Sequence, residues 1–281
     1  MDTARIAVPS LSLRDAVEIP QLGFGVFQVP PEETQAAVEL ALEAGYRHID
    51  SAGACRNERG VGAALAASGL PREDYFVTTK LWSSQGGHDS VLTAFEASLD
   101  RLGLDHVDLH LIHLPFPTED VFVDTWRAFE RIHGEEAART IGVSNFRIED
   151  LEQLGQEAET WPTINQVELH PYCQQPGLHA WHAEHGIATA AWSPLAQGDL
   201  LDDETTIVRM AESHGKTLTQ VILRWHLQLD NVVIPKSVTP EQIRENIDLF
   251  DFELSDGELV AIDGLDSGSR MGPSPTTFVA P

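Results

Sequence analysis

Tyr75-Phe76-Val77-Thr78-Thr79-Lys80, an amphipathic stretch over residues 89–102, and then Val107-Asp108-Leu109-His110-Leu111-Ile112-His113 form one strand–helix–strand unit. Its repetition decides the fold. Short apolar runs fall at residues 22–27, 48–50, 75–80, 107–113, 140–144, 164–168, 188–192 and 232–235. Amphipathic segments predict helices at 32–44, 58–68, 89–102, 121–133, 148–157, 178–185, 207–228 and 241–249. Such alternation is the pattern of parallel βα units. A doubly wound sheet fits the periodicity too, but eight units in one domain of ~250 residues favour an α/β fold of the TIM-barrel type, (β/α)8. Barrel enzymes work at the C-terminal ends of their strands. Asp50, Lys80, His113, Ser144 and Trp192 close the second, third, fourth, fifth and seventh runs and are expected on one rim. Taken singly, an Asp or Ser after a strand is more often a helix cap or turn residue. As a set they read as a site.

Composition bounds the chain in the same way. Its 281 residues, 42% hydrophobic and 22% charged, describe a soluble globular protein. No apolar run approaches the ~20 residues of a membrane span and no signal peptide precedes the first strand, so no membrane partner and a cytoplasmic location are expected. Cys55 and Cys173 permit at most one disulfide, and reduced thiols are expected. A net charge of −26 repels a phosphate backbone and argues against nucleic acid as a partner. An anionic cofactor would need a local basic patch, for which Lys236 and Arg244 are candidates. No linker or repeat divides the chain, so residues 1–281 read as one domain, monomeric, with an irregular Pro/Gly/Ser-rich tail over 267–281.

Other sequence blocks carry a resemblance. Gly45-Tyr46-Arg47-His48-Ile49-Asp50-Ser51-Ala52 and Thr79-Lys80-Leu81-Trp82 are followed by Leu111-Ile112-His113-Leu114-Pro115 and Gly142-Val143-Ser144-Asn145-Phe146. Then come Asn165-Gln166-Val167-Glu168-Leu169-His170-Pro171, Trp192-Ser193-Pro194-Leu195 and Ile234-Pro235-Lys236-Ser237. In this order, over nearly the whole chain, they resemble the aldo-keto reductase family, with closest likeness to its bacterial diketogluconate-reductase-type members. The resemblance implies the barrel and hydride transfer from NADPH to a carbonyl. By residue matching, Lys80 paired with Asp50 would lower the pKa of a tyrosine acid, and His113 would orient the carbonyl oxygen.

Where that tyrosine is expected, five residues after Asp50, this chain has Cys55. A thiol's ordinary pKa of ~8.5 lies below the phenol's ~10, and Lys80 is expected to draw it further, toward thiolate. A thiolate donates no proton, and the side chain is shorter by a ring. Losing a general acid costs on the order of 10²–10⁴-fold in rate. Three readings stay open: a carbonyl reductase in which His113 or water gives the proton, an imine or iminium reductase that needs no acid, and a nicotinamide-binding protein with little turnover, natural or disabled.

No Rossmann fingerprint is present. The resemblance instead implies that Ser144, Asn145 and Gln166 hold the nicotinamide carboxamide, Trp192 stacks on the ring, and Ser193, Leu195 and Gly198 wrap the pyrophosphate. Lys236, Ser237 and Val238 match the 2′-phosphate stretch, and Glu245 and Asn246 match positions at adenine. Many members place an arginine where this chain has Gln242, and Arg244 lies roughly 200° further around a helix. NADPH is expected first, with NADH use open. Phe27, Trp82, Leu114 and Phe116, with part of the tail, would line the substrate pocket. Leu114 replaces a common tryptophan and, with Cys55, widens that pocket for a small-molecule substrate of unspecified identity. His179, His182 and His185 share a helix, but no further ligand completes a shell. They are expected to form a solvated face, with no metal. His110 and His113 should face opposite sides of their strand.

Overall fold

Residues 10–20 close on themselves before the repeating units begin. The computed structural model describes residues 8–115, 119–198 and 205–272. Ser10–Ser12 (β1) and Glu18–Pro20 (β2) pair antiparallel, with Leu11 opposite Ile19. Eight parallel strands follow: Phe24–Gly25 (β3), His48–Asp50 (β4), Phe76–Leu81 (β5), Val107–Ile112 (β6), Ala138–Ser144 (β7), Ile164–Glu168 (β8), Ala188–Trp192 (β9) and Val232–Ile234 (β10). Each pairs with its neighbour in chain order, and a parallel bridge from Leu22 to Val233 joins the two ends. The result is the (β/α)8 TIM barrel that the alternation predicts.

The closing seam explains one departure from the expected run at 22–27. Only Phe24 and Gly25 lie in the ladder, while the Gly23 amide donates to Val233 O at 2.9 Å and the Gly25 amide to Pro235 O at 2.9 Å. A Cβ on Gly23 would sit 2.6 Å from Ile234 Cδ1 and 2.7 Å from His48 Nδ1, so the seam demands glycine there. Inside the barrel Phe76, Leu109, Leu111, Ile164 and Val232 form one apolar cluster, and Leu13 and Ile19 of the N-terminal hairpin cap it. That cluster fills the barrel, so the site is left to the rim.

The helices pack outside: Pro31–Ala44 (α1), Glu58–Ala67 (α2), His88–Leu102 (α3), Glu119–Gly134 (α4), Ile148–Glu157 (α5), Pro176–His185 (α6), Thr205–His214 (α7), Leu218–Gln228 (α8), Pro240–Glu245 (α9) and Asp256–Asp263 (α10). The single helix expected over 207–228 is two. Gly215 takes the left-handed φ of 63°, and Thr217 caps the next helix, its hydroxyl accepting from the Gln220 amide at 3.3 Å. His110 points outward, as expected from strand alternation, and stacks on Phe129 with centroids 4.3 Å apart. His179, His182 and His185 are not a solvated face. His182 is buried between Thr189 Oγ1 and the Asn165 amide, at 2.9 and 3.0 Å, because α6 lies flat on β8 and β9. No helix among the described residues is long and apolar enough to cross a membrane.

Two charged anchors tie the layers. Asp108 on β6 is fully buried and accepts from Arg72 Nη2 at 2.7 Å, Arg139 Nη1 at 2.8 Å and the Val77 amide at 2.8 Å. Glu168, which ends β8, is equally buried and accepts from the Met271 amide at 2.5 Å and the Gly272 amide at 3.0 Å. Arg270 stands 3.5 Å from its other oxygen, so the returning C-terminal segment is clasped to the rim. Burial alone would raise the Glu168 carboxyl, but hydrogen bonds from His170, Gly272 and Met271 bring it below its ordinary value.

Asp108→Ala leaves two arginines facing a buried gap and is expected to cost about 3–5 kcal/mol in chemical denaturation. For Glu168 the folded pKa lies below the unfolded one of ~4.3, so its contribution is complete above that pH and is lost as pH falls through the folded value. Glu168→Gln is therefore expected to lose about 1–3 kcal/mol at neutral pH and to show a shallower fall of stability with acid, read from thermal midpoints across pH.

Candidate active site

Strand register brings the rim residues together. Asp50 ends β4 opposite Thr78 of β5, and Lys80, two residues further along the same face, reaches across. Lys80 Nζ bonds Asp50 Oδ1 in an ion pair that is almost wholly buried, and donates to Ser51 O at 3.2 Å. Gln166 of β8 crosses the mouth to give its amide proton to Asp50 Oδ2 at 2.8 Å. Both carboxylate oxygens are thus engaged, which is what a buried charge requires.

A second network runs along the rim beside the first. The Ser144 hydroxyl donates to Gln166 O at 2.7 Å, and Asn145 Nδ2 donates to Ser144 Oγ at 3.0 Å and to His113 O at 2.9 Å. Trp192 Nε1 donates to Asn145 Oδ1 at 2.9 Å. Asn145 at φ 62° and Ser193 at φ 49° hold left-handed backbone, a strain that clusters at functional sites. Gly272 packs on the indole of Trp192, since a Cβ there would lie 2.6 Å from Cη2. Glu168 was not singled out among the site residues by sequence, although an acid at the C-terminal end of a barrel strand was the available signal. Its role in fixing this contact depends on a segment a hundred residues away.

His113 follows β6 directly and is half-buried, with Trp82 edge-on at 4.9 Å. Burial and then the Lys80 charge lower its pKa to about 3, so it is neutral in ordinary buffers. In the reading where His113 gives the proton, that proton would come from a neutral ring and not from an imidazolium. Its Nδ1 is enclosed without a partner among the described residues. Placing the proton on Nε2 leaves only a lone pair there unmet, the cheaper arrangement.

Cys55 sits at the end of the 3-10 turn Gly53–Cys55, half-buried, as a free thiol. Its pKa is raised, not lowered. Burial outweighs the opposing pull of Lys80, Asp50 adds to the rise, and a hydrogen bond from the Gln28 backbone does not reverse it. The expected drift toward thiolate is therefore overturned, and Cys55 keeps its proton.

The remaining expected residues spread along the same end of the barrel. Ser193, Leu195 and Gly198 follow β9, with the Gly198 amide donating to Leu195 O at 2.9 Å. Lys236 and Val238 are exposed just past β10, and the buried Ser237 donates to Gln242 Oε1 at 2.8 Å. Glu245 accepts from Thr217 Oγ1 at 2.7 Å, Asn246 is buried, and Arg244 is exposed. Phe27 is 57% exposed beside β3, Trp82 and Leu114 are half-buried, and Phe116 lies outside the described residues.

The donor set fits a nicotinamide carboxamide. Asn145 Oδ1 and Ser144 Oγ each keep a free lone pair, and Gln166 keeps one amide proton and its carbonyl oxygen.

A model of the Aldo/keto reductase family matches residues 21–267. An aldo-keto reductase of Mycolicibacterium smegmatis is 54% identical over 270 residues, covering 96% of this chain and 98% of the relative. The methylglyoxal reductase DkgA of Escherichia coli is 47% identical over 269 residues, 95% of this chain and 97% of the relative. An aldo-keto reductase of Bombyx mori, solved in complex with NADP, superposes with a TM-score of 0.90 at 34% identity, over 95% of this chain and 96% of that one. With a match that spans the barrel and relatives alike along nearly their full lengths, this chain belongs to the aldo/keto reductase family.

Proposed function

We propose that the protein is an NADPH-dependent reductase of aldehydes and ketones, small dicarbonyls among them, working with an atypical proton donor. The observation that carries this reading is the buried Lys80–Asp50–Gln166 network lying beside Ser144, Asn145 and Trp192 on one rim. The methylglyoxal reductase of Escherichia coli, related over nearly its whole length, favours dicarbonyls as first candidates.

When bound, reduced nicotinamide supplies a hydride. Ser144, Asn145 and Gln166 would hold its carboxamide, and Trp192, fixed by Asn145, would set the face presented. His113, neutral, directs a hydrogen bond at the carbonyl oxygen, orienting it without carrying charge. Asp50 and Lys80 fix a preorganised dipole where negative charge develops. Lys236, exposed, and the buried Ser237 would meet its phosphate end.

NADPH oxidation is to be followed against aldehydes, ketones, methylglyoxal and cyclic imines, with this chain and Cys55→Tyr side by side. Carbonyl reduction is expected, with a gain of about 10²-fold in the variant from a restored phenol acid. Good imine turnover that the tyrosine impairs would replace the carbonyl reading. Tight NADPH binding with no turnover would replace it with a binding role. In Gln242→Arg, a guanidinium at the 2′-phosphate end is expected to raise the preference for NADPH over NADH about tenfold in kcat/KM, as one charge-assisted pair does.

A further inference from the structure

An ammonium has three N–H groups, and Lys80 has acceptors for two. They are Asp50 Oδ1 and Ser51 O, and no other acceptor of Lys80 lies among the described residues. No hydrogen bond joins it to Cys55, whose sulfur takes the Gln28 amide instead. The Lys80 side chain is only 7% exposed, so bulk water does not freely satisfy the third N–H. The other candidates for proton donation are weaker. His113 is a neutral imidazole, and Cys55 ends a ring short of a phenol while holding its proton against removal.

We propose that Lys80 is itself the proton donor to the substrate oxygen, a role that rests on the carbonyl-reductase reading above. The carbonyl carbon accepts a hydride, with its two electrons, from reduced nicotinamide, and the C=O π pair moves to oxygen. A Lys80 N–H bond breaks, and its proton forms the O–H bond of the alcohol. The carbonyl is reduced and the nicotinamide oxidised. Lys80, left as an amine still hydrogen-bonded to Asp50, takes a proton from water once the alcohol departs. The Asp50 charge opposes the donation and favours this return, so turnover is slower than with a phenol acid.

The test is chemical rescue of Lys80→Ala by primary amines of graded basicity, at saturating NADPH and with amine size held in a narrow range. Carbonyl reduction is expected to fall about 10²–10⁴-fold and to be partly restored, faster with the more acidic ammonium ions. Rescue independent of amine basicity, or no rescue by any amine, would make Lys80 a fixed charge and overturn the proposal. Lys80→Arg keeps the charge without a transferable proton and is expected to be as slow as Lys80→Ala while binding NADPH with unchanged affinity by fluorescence. Near-native rates in Lys80→Arg would likewise overturn it.

A readout without turnover is available because the chain has three lysines, Lys80, Lys216 and Lys236. With ¹⁵N-labelled lysine, Lys216→Arg and Lys236→Arg assign the ammonium signals. In the presence of NADP⁺, an unreactive amide offered as a carbonyl mimic is expected to shift the Lys80 signal and to leave Lys216 unmoved. An amide that binds, shown by its own line broadening, without moving Lys80 would overturn the proposal. Absence of carbonyl reduction in the unaltered chain would instead remove the functional reading, and the amide titration separates that failure from this one.

Discussion

The buried pair of Lys80 and Asp50 is the constraint around which the rim is arranged. Two charges taken out of water are stable together only when the remaining donors and acceptors are met, and removing either leaves the other uncompensated. Sheet register meets this demand. Thr78 faces Asp50 across the ladder, and the two-residue period puts Lys80 on the same inward side, one step nearer the mouth. Gln166 arrives from four strands away to occupy the second carboxylate oxygen, which is feasible only in a closed barrel. Closure in turn depends on Gly23, where no side chain fits between Ile234 and His48.

That arrangement governs the titratable neighbours. Both His113 and Cys55 are pushed toward their neutral forms, the imidazole by burial aided by Lys80 and the thiol by burial against Lys80. Charging either would place a third ion beside the Lys80–Asp50 pair in a poorly solvated site. The outcome is a rim whose one buried ion pair is flanked by two side chains held neutral, an imidazole and a thiol that is slow to ionise. A cysteine reads as reactive next to a lysine only if desolvation is ignored, and here desolvation is the larger effect.

Most of the architecture was legible because it is written locally. The apolar runs, their spacing and their polar C-terminal residues named seven of the eight strands closely and put Asp50, Ser144 and Trp192 at strand ends, while Lys80 proves to lie one residue inside the end of β5 and His113 one residue past β6. The break at Gly215 with the Thr217–Gln220 cap was also local, and it was outweighed by apolar periodicity running through it. What sequence did not disclose is non-local. The N-terminal hairpin is defined by the barrel floor it covers, and the clasp on Glu168 by a tail returning to β8. The protonation of Cys55 and the outward burial of His182 likewise follow from neighbours distant in the chain.

The same distinction bears on how a chain of net charge −26 would hold an anionic dinucleotide. Summed over the surface, the field is unfavourable, so attraction must come from cations not already neutralised. Lys216 is spent on Asp248 and Asp251, Arg72 and Arg139 on Asp108, and Arg101 on Glu58. Lys236 and Arg244, both exposed around α9, have no ion-pair partner among the described residues. Under the proposed cofactor arrangement their charge would meet its 2′-phosphate. Gln242, which accepts from the Ser237 hydroxyl, offers a hydrogen-bonding group there but no charge, so in the proposed arrangement discrimination between NADPH and NADH would fall to Lys236 and Arg244.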